Sequence, residues 1–515
     1  MNQRKLGSII SYLQMVLTMI VSIIYTPYMI QKLGRNEYGL YNTVASTISM
    51  LAILNLGFSS GYIRYYSVYK KADDQESIKK LNGLFIKIFV VIGLVALLCG
   101  IYIAYHLELV FKDGLTQDEY VLARILMIIL TLNLAVSFPM SVFSSIISAH
   151  ERFVVLKLVG IMKTVCGPLV TIPLLLYGFR SVAIVCVTVA FSLIADIIYV
   201  YYVLFVLRER FKWSGHDKGL LKKLTIYTSF IAINMVIDQI NWNIDKLVLA
   251  RYKGTVSVAI YSVGYTLNTY YNMVSTAVSS VFTPLVHGIV NEYKDQSDKQ
   301  RDALTNIFTK VGRVQLIILG LFSTGLVLFG KPFIAVWAGE GFEEAYYVVL
   351  LLAIPATIPL IQNVGIEIQR AMDKHKFRSI AYLIMAIINL VVSIYLCQLW
   401  GPIGCAIGTG ASMIIANGII MNFYYHKHCN IDVISFWKEI IRILPGIIIP
   451  FICFAILTRF FPIANSYLGL IPWIVIYMVI YVLSIWLFSM NSYEKDIVLR
   501  FFKKLKRQRR QVSEK

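Results

Sequence analysis

The chain has 515 residues, of which 58% are hydrophobic and only 15% charged. Globular domains run about 45–50% apolar and about 25% charged, so this composition excludes an ordinary water-soluble protein and calls for a bilayer. The net charge of +20 would suggest nucleic acid if the protein were soluble, and its placement along the chain decides the matter.

Apolar runs of the ~20 residues that a bilayer helix needs occur at roughly 8–30, 38–60, 81–105, 121–147, 155–177, 181–207 and 224–250, then at 257–290, 311–329, 345–366, 378–399, 402–425, 440–461 and 468–489. They predict fourteen spans. Arg4 and Lys5 precede the first run as in a signal peptide, but the run is too long and ends in YTPYMIQKLG, without a small-residue cleavage site, so span 1 is expected to be retained. The seven cysteines, at positions 99, 166, 186, 397, 405, 429 and 453, lie almost entirely inside the runs without a C-x-x-C pair. No disulfide or zinc framework is implied.

With the N-terminus in the cytoplasm, 36 of the 48 Lys and Arg fall in cytoplasmic segments, nine of them in the tail from Lys495, and ten in outer segments. That asymmetry is the positive-inside rule, and an even number of spans places both termini in the cytoplasm. The tail sequence FFKKLKRQRR is read as attracted to anionic lipid headgroups rather than to nucleic acid. The outer connections are short, the longest being about 106–120 and 330–345, which leaves no outer domain for an active site.

The chain also repeats itself. GRNEYGLY at 34–41 aligns with GTVSVAIY at 254–261, and YGFRSVAI at 177–184 with WGPIGCAI at 400–407, at offsets of 220 and 223. Each pair falls at equivalent topological positions. The expected organisation is an N-terminal six-helix bundle over 1–207, a basic cytoplasmic linker at 208–223 and a C-terminal six-helix bundle over 224–425, followed by two additional spans within 440–489 and a basic tail at 490–515. Six spans per copy make the two copies parallel, a repeat type that encloses a central cavity and rocks about it. Transport becomes the leading class.

At these residues a family resemblance enters. The segment LGRNEYGLYNTVASTISMLAILNLGFSSGYIRYY resembles the span 1–2 region of Wzx-type lipid-linked oligosaccharide flippases, the polysaccharide synthase family of the MATE-like MOP superfamily. NIDKLVLARYKGTVSVAIYSVGYTLNTYYNMVSTAVSSVFTPLV and IQRAMDKHKFRSIAYLIMAIINLVVSIYLCQLWGPIGCAIGT are similar to it more strongly. The resemblance covers about residues 1–430 and rests on the combined pattern, since no short motif is diagnostic by itself. It implies an all-α integral membrane protein of fourteen helices, with two six-helix bundles that alternate between inward- and outward-facing states. It further implies a bacterial cytoplasmic membrane and movement of undecaprenyl-diphosphate-linked oligosaccharides to the outer leaflet, for O-antigen, capsule or exopolysaccharide. A polysaccharide polymerase and other assembly proteins are the implied neighbours, and neither catalysis nor a cofactor or metal is implied.

A flippase needs hydroxyls, amides and a few cations on faces that line a cavity. Span 1 offers Ser11, Gln14, Thr18, Ser22 and Thr26 on one face; span 7 offers Tyr227, Asn234, Asp238, Asn241 and Asp245, with Trp242 beside them; span 8 offers Tyr261, Tyr265, Asn268, Asn272, Ser275 and Ser279. The other reading of small polar residues is helix-packing glue. For the diphosphate the candidate cations are Lys163 and Lys87, within spans 5 and 3, with Arg64 and Arg313 at cytoplasmic ends; the competing reading of each is snorkelling to the headgroups. Asp238 and Asp196 are the candidates for coupling to H⁺ or Na⁺, with the membrane potential as another expected drive, and Asp196 could instead pair with Lys163. His287 and the HKH at 426–428 lack the spacing of a zinc site.

Three rivals are weighed. A MATE-type cation-coupled drug antiporter is expected to carry an acid in span 1, and a lipid II-type flippase to carry charge there including arginine, yet no charge lies between Lys5 and Lys32. A membrane-embedded glycosyltransferase or polymerase needs outer acids that act together, whereas Asp113, Asp118, Glu119, Glu340, Glu343 and Glu344 sit in short loops with nothing linking them as a pair.

Overall fold

The computed structural model describes residues 3–499 except 113–114, 215–217, 295, 462, 464 and 497–498. Among these the regular structure is helical throughout. In chain order come α1 (Gln3–Leu51), α2 (Phe58–Lys71), α3 (Gln75–Tyr105), α4 (Gln117–Ala149), α5 (Phe153–Leu176), α6 (Ser181–Tyr201), α7 (Lys218–Lys253), α8 (Thr255–Ser280) and α9 (Thr283–Glu292). They continue with α10 (Ser297–Trp337), α11 (Glu344–Ile361), α12 (Asn363–Ala371), α13 (His375–Met413), α14 (Asn422–His428), α15 (Val433–Ile441), α16 (Leu444–Phe460) and α17 (Tyr467–Phe488). π-helical turns at Tyr202–Val206 and Ile414–Met421 extend α6 and join α13 to α14.

Ten helices among the described residues are long and apolar enough to cross a membrane. Two exceed a single crossing: Ile9–Lys71 has 63 residues and Lys376–His428 has 53, against the ~20 that a crossing takes. Gly34 (φ 73°, ψ 172°) and Gly401 (φ 55°, ψ −129°) break them. The pair α8 and α9, bent by 42° between them, forms one more crossing. The 36-residue α7 is not among the helices apolar enough to qualify, so among the described residues ten helices, or eleven with the bent pair, meet the measure of length and composition, where the sequence predicts fourteen spans.

The glycines matched by the expected repeat share a backbone feature. Gly34 and Gly254 occupy matching positions, as do Gly178 and Gly401, and all four have positive φ, at 73°, 81°, 90° and 55°. A β-carbon at Gly34, Gly178 or Gly254 would meet nothing within 4 Å, and one at Gly401 only Lys253 Cγ at 3.9 Å. Glycine is required there by conformation, not by space. In the first copy the two matched segments are pinned together: Glu37, 7% exposed, accepts the Ser181 backbone N–H at 2.8 Å and Arg180 Nε at 2.9 Å. Gly39 is a different case, because a β-carbon on it would come within 1.8 Å of the Thr255 carbonyl oxygen. That close approach sets α8 directly against the second half of α1.

The helices form two compact units, one of residues 1–263 with 382–409, the other of residues 264–381 with 410–515. This grouping by packing differs from the repeat division at 208–223, which concerns ancestry of segments. In the first unit α3 packs on α4, α4 on α6, and α1 on both α5 and α7. Its core gathers Phe58, Tyr62, Phe85, Phe89 and Phe138, with Tyr62 and Phe85 edge to face at 5.2 Å, the favoured arrangement of aromatic quadrupoles. In the second unit α10 is the axis, contacting α11, α15, α16 and α17. The last C-terminal span, α17, is tied to it by hydrogen bonds from Tyr477 Oη to Thr324 Oγ1 at 2.6 Å and from Tyr481 Oη to the Ile317 carbonyl at 2.9 Å. Gly320 makes this possible, since a β-carbon there would lie 2.6 Å from Tyr481 Oη.

Candidate functional site

α7 carries the polar residues that a lipid-facing helix could not hold. Asn234, Asp238 and Trp242 recur every fourth residue, share one face and are all exposed, with Asn241 half-buried beside them. An open amide and carboxylate in mid-span are costly against hydrocarbon, so this face fronts water or a polar cargo. The Tyr227 side chain lies outside the described set.

One turn further, the same helix places Asp245 in the interior, 3% exposed. Its Oδ2 accepts hydrogen bonds from Tyr261 Oη at 2.6 Å and Thr409 Oγ1 at 2.7 Å. Asn389 Nδ2 donates to Thr409 Oγ1 at 3.2 Å, and Ser393 Oγ donates to Asn389 Oδ1 at 3.2 Å. Asp245 Oδ1 is buried without a hydrogen-bond partner. The buried carboxylate is thus held in a network of hydroxyl and amide groups through Oδ2. The network joins α7, α8 and both halves of α13. The sequence placed Asp245 on the polar face of span 7 and marked it as an acid needing an account, but not as a coupling candidate, because its partners come from distant spans with no spacing to mark them.

The span 8 stripe changes meaning. Tyr261, expected to line the cavity, is 2% exposed and serves as the Asp245 hydrogen-bond donor. Asn268 is 1% exposed, and Ser275, equally buried, accepts from Gln315 Nε2 at 3.1 Å and Asn363 Nδ2 at 3.2 Å. Asn272 donates back to the Asn268 carbonyl at 2.7 Å and, like Tyr265, is only half-buried. Periodicity put these residues on one face correctly. For Tyr261 and Asn268, however, that face packs inside the protein, and the expected cavity lining is corrected to burial, with Tyr261 in a structural hydrogen bond. In span 1 the hydroxyls bond their own helix, Ser11 Oγ to the Gly7 carbonyl and Thr18 Oγ1 to the Gln14 carbonyl, both at 2.8 Å. Gln14 itself lies against α5, where a β-carbon on Gly160 would be 2.4 Å from its Nε2.

The four candidate cations separate by environment. Lys163 is exposed ten residues into α5, about 15 Å along the axis at ~1.5 Å per residue; it reaches Ser192 Oγ at 3.5 Å and interacts electrostatically with Asp196 on α6. Asp196 is half-buried, with Oδ2 lacking a hydrogen-bond partner. Lys87 is exposed and donates to the Trp213 carbonyl in the linker, and Arg64 is exposed on α2.

Arg313 is the correction. It is 3% exposed, Nε donates to Glu494 Oε1 at 2.7 Å, Nη2 to Glu494 Oε2 at 3.0 Å and the Ser489 carbonyl at 2.9 Å, and Nη1 to the Glu439 carbonyl at 2.8 Å. Every guanidinium nitrogen is engaged, so it holds α10, α15 and the chain after α17 together and has no donor left for a diphosphate. It forms part of the wall of a polar pocket of about 620 Å³ that also contains Arg301, Asp302, Lys310, Asp432 and Glu439.

Comparison with known proteins follows the same lines. The family model described as "Polysaccharide biosynthesis protein" matches residues 6–290. An uncharacterized membrane protein in the cps region of Klebsiella pneumoniae is 22% identical over 247 residues, which are 47% of this chain and 49% of that protein. The match thus spans about half the length of that curated relative. Among solved structures, the lipid II flippase MurJ in its inward closed conformation superposes with a TM-score of 0.71 at 17% identity, covering 96% of this chain and 99% of that one. An inward-facing multidrug resistance MATE family transporter of the MOP superfamily gives a TM-score of 0.60 at 15% identity, covering 82% of this chain and 96% of that one. At such identities the likeness is one of fold.

Proposed function

The chain belongs to the polysaccharide biosynthesis protein family, and on that premise we propose that it is a flippase for undecaprenyl-diphosphate-linked oligosaccharide repeat units, moved from the cytoplasmic to the outer leaflet by alternating access. The observation that carries the reading is the family match itself. Its 6–290 range takes in α7 with its open Asn234, Asp238 and Trp242 face and the mid-span Lys163. A polar face suits a sugar chain, and an exposed lysine within a span suits a diphosphate, whose charge a cation in low dielectric holds strongly. The relative from a capsule region and the flippase fold support the same direction.

Coupling is assigned to Asp245. Its buried carboxylate, in a network with Tyr261, Thr409, Asn389 and Ser393, offers an incoming proton or sodium ion a counter-charge in a polar interior. Asp238 is open, and Asp196 already faces Lys163, so both are placed less well to gain from binding one.

The cellular test is a strain lacking the protein, complemented with wild type, Lys163→Ala and Asp245→Asn at matched protein levels. Loss is expected to trap lipid-linked repeat units in the cytoplasmic leaflet and to abolish surface polysaccharide, with each variant restoring less than a tenth of the wild-type amount. Normal polysaccharide with drug hypersensitivity in the deletion strain would favour a cation-coupled drug antiporter, and full complementation by a variant would remove that residue from the site.

A further inference from the structure

The linker between the two repeat copies begins as a strap laid on the first unit, with its two sides sorted by chemistry. Glu209 N–H donates to the Val203 carbonyl at 3.1 Å and Lys212 N–H to the Lys79 carbonyl at 2.9 Å. Asn82, fully buried, donates from Nδ2 to the Arg210 carbonyl at 3.1 Å and to Glu209 Oε2 at 3.0 Å. The Lys87 ammonium reaches the Trp213 carbonyl. Gly83 lets the strap lie this close to α3, since a β-carbon there would come within 2.1 Å of the Lys212 carbonyl oxygen.

Between these anchors burial alternates with the period of an extended chain. Glu209, 12% exposed, and the half-buried Phe211 turn inward, Phe211 against the Phe143 ring at 5.8 Å between centroids. Arg208, Arg210 and Lys212 are exposed on the other side, roughly 6–7 Å apart at ~3.3 Å per residue. Trp213 continues that side, 53% exposed. Two acids lie near the row: Glu209 faces inward, and Glu76 is shared by Lys79 and Lys212. The Arg208 and Arg210 side chains meet no hydrogen-bond acceptor among the described residues.

The strap crosses α3 near the level of lipid headgroups. The 31 residues of α3 make a helix of about 46 Å at ~1.5 Å per residue, longer than the ~30 Å hydrocarbon core of a bilayer, so its first turns project toward the headgroup region. The strap meets it there, at Lys79, Asn82 and Gly83, where the apolar run of span 3 is only beginning, at 81. Lys87, deeper in the span, extends its ammonium to the strap, as a snorkelling lysine does.

We propose that the outward side of the strap, Arg208, Arg210 and Lys212 with Trp213, docks on anionic phospholipid headgroups of the leaflet on the linker's side, which the sequence assigns to the cytoplasm. Lipid phosphates supply the acceptors that the two guanidinium groups lack within the protein, in a geometry that arginine matches well. The indole is a side chain suited to the membrane–water boundary, and the inward Glu209 and Phe211 fix which side of the strap faces out. A basic segment so placed gains from the negative surface of the leaflet. Nothing in this depends on which cargo is carried.

Hydrogen exchange of the full-length protein in nanodiscs, at one pH and temperature, tests it on peptides covering 207–213, comparing discs of phosphatidylcholine with discs of phosphatidylcholine mixed with phosphatidylglycerol. For wild type the anionic discs are expected to slow exchange about fivefold, the factor that one basic residue's attraction to an anionic surface gives, and high salt to abolish the difference. The double variant Arg208→Gln, Arg210→Gln should exchange alike in both discs, with α16 and α17 unchanged as the folding control. A variant with glutamine at the six basic positions 503, 504, 506, 507, 509 and 510 of the tail should keep the wild-type difference, which separates strap from tail. Equal wild-type exchange in both discs, a difference that persists in the double arginine variant or in high salt, or one that vanishes in the tail variant would overturn the docking.

Discussion

Arg313 and Lys163 show how two cations of the same formal charge come to different work. Arg313 is closed off by Glu494, Glu439 and Ser489, so its removal leaves a nearly buried Glu494 carboxylate uncompensated, a change of about 3–5 kcal/mol for broken buried pairs. Arg313→Ala is expected to lower thermal stability by that order, and Arg313→Lys to recover little of it, because a single ammonium cannot span two carboxylates and two carbonyls in the guanidinium geometry. A thermal unfolding series that ranks lysine close to arginine would contradict the clamp. Lys163, exposed and with one long hydrogen bond, has little such structural share, so a function-specific defect at normal protein level is the expected signature there. Neither fate is legible in the sequence. Both residues read as cations in or at the edge of a span, and what separates them is Glu494, 181 positions away from Arg313.

Among the elements, breaks carry as much information as helices. The apolar runs coincide with the helices apolar enough to cross a membrane, but the helices outrun them: α10 extends from Ser297 to Trp337 where the run covers 311–329, because polar ends continue a helix once tertiary contacts support it. Gly34 and Gly401 divide what would otherwise be overlong rods, in backbone conformations that residues bearing a β-carbon rarely adopt. Gly34→Ala is therefore expected to cost about 1–3 kcal/mol, despite the open space around it, and a midpoint shift measured in denaturant titration checks this. An unchanged midpoint would mean that the turn relaxes without strain. The polar stripes mark the opposite limit. Sequence spacing tells which residues share a face of α7 or α8 but not what that face meets, so Asn234 and Asp238 proved open while Tyr261 and Asn268 proved interior.

At the scale of the whole chain, most of the positive charge is topology. Thirty-six of the 48 basic residues lie in segments that the sequence assigns to one side, the asymmetry expected of a multi-pass membrane protein. The four glycines at the positions matched by the expected repeat share a positive φ, and a parallel repeat is a plan suited to alternating exposure of a site. The central claim is that this plan moves an oligosaccharide on a diphosphate lipid. Full-length protein reconstituted in sealed vesicles with undecaprenyl-diphosphate-oligosaccharide, fluorescently labelled on its sugar, measures that movement through a membrane-impermeant quencher. The account predicts that wild-type vesicles lose nearly all fluorescence while empty vesicles keep the inner-leaflet share, with Lys163→Ala slowed. Protection of the same fraction in wild-type and empty vesicles would contradict it.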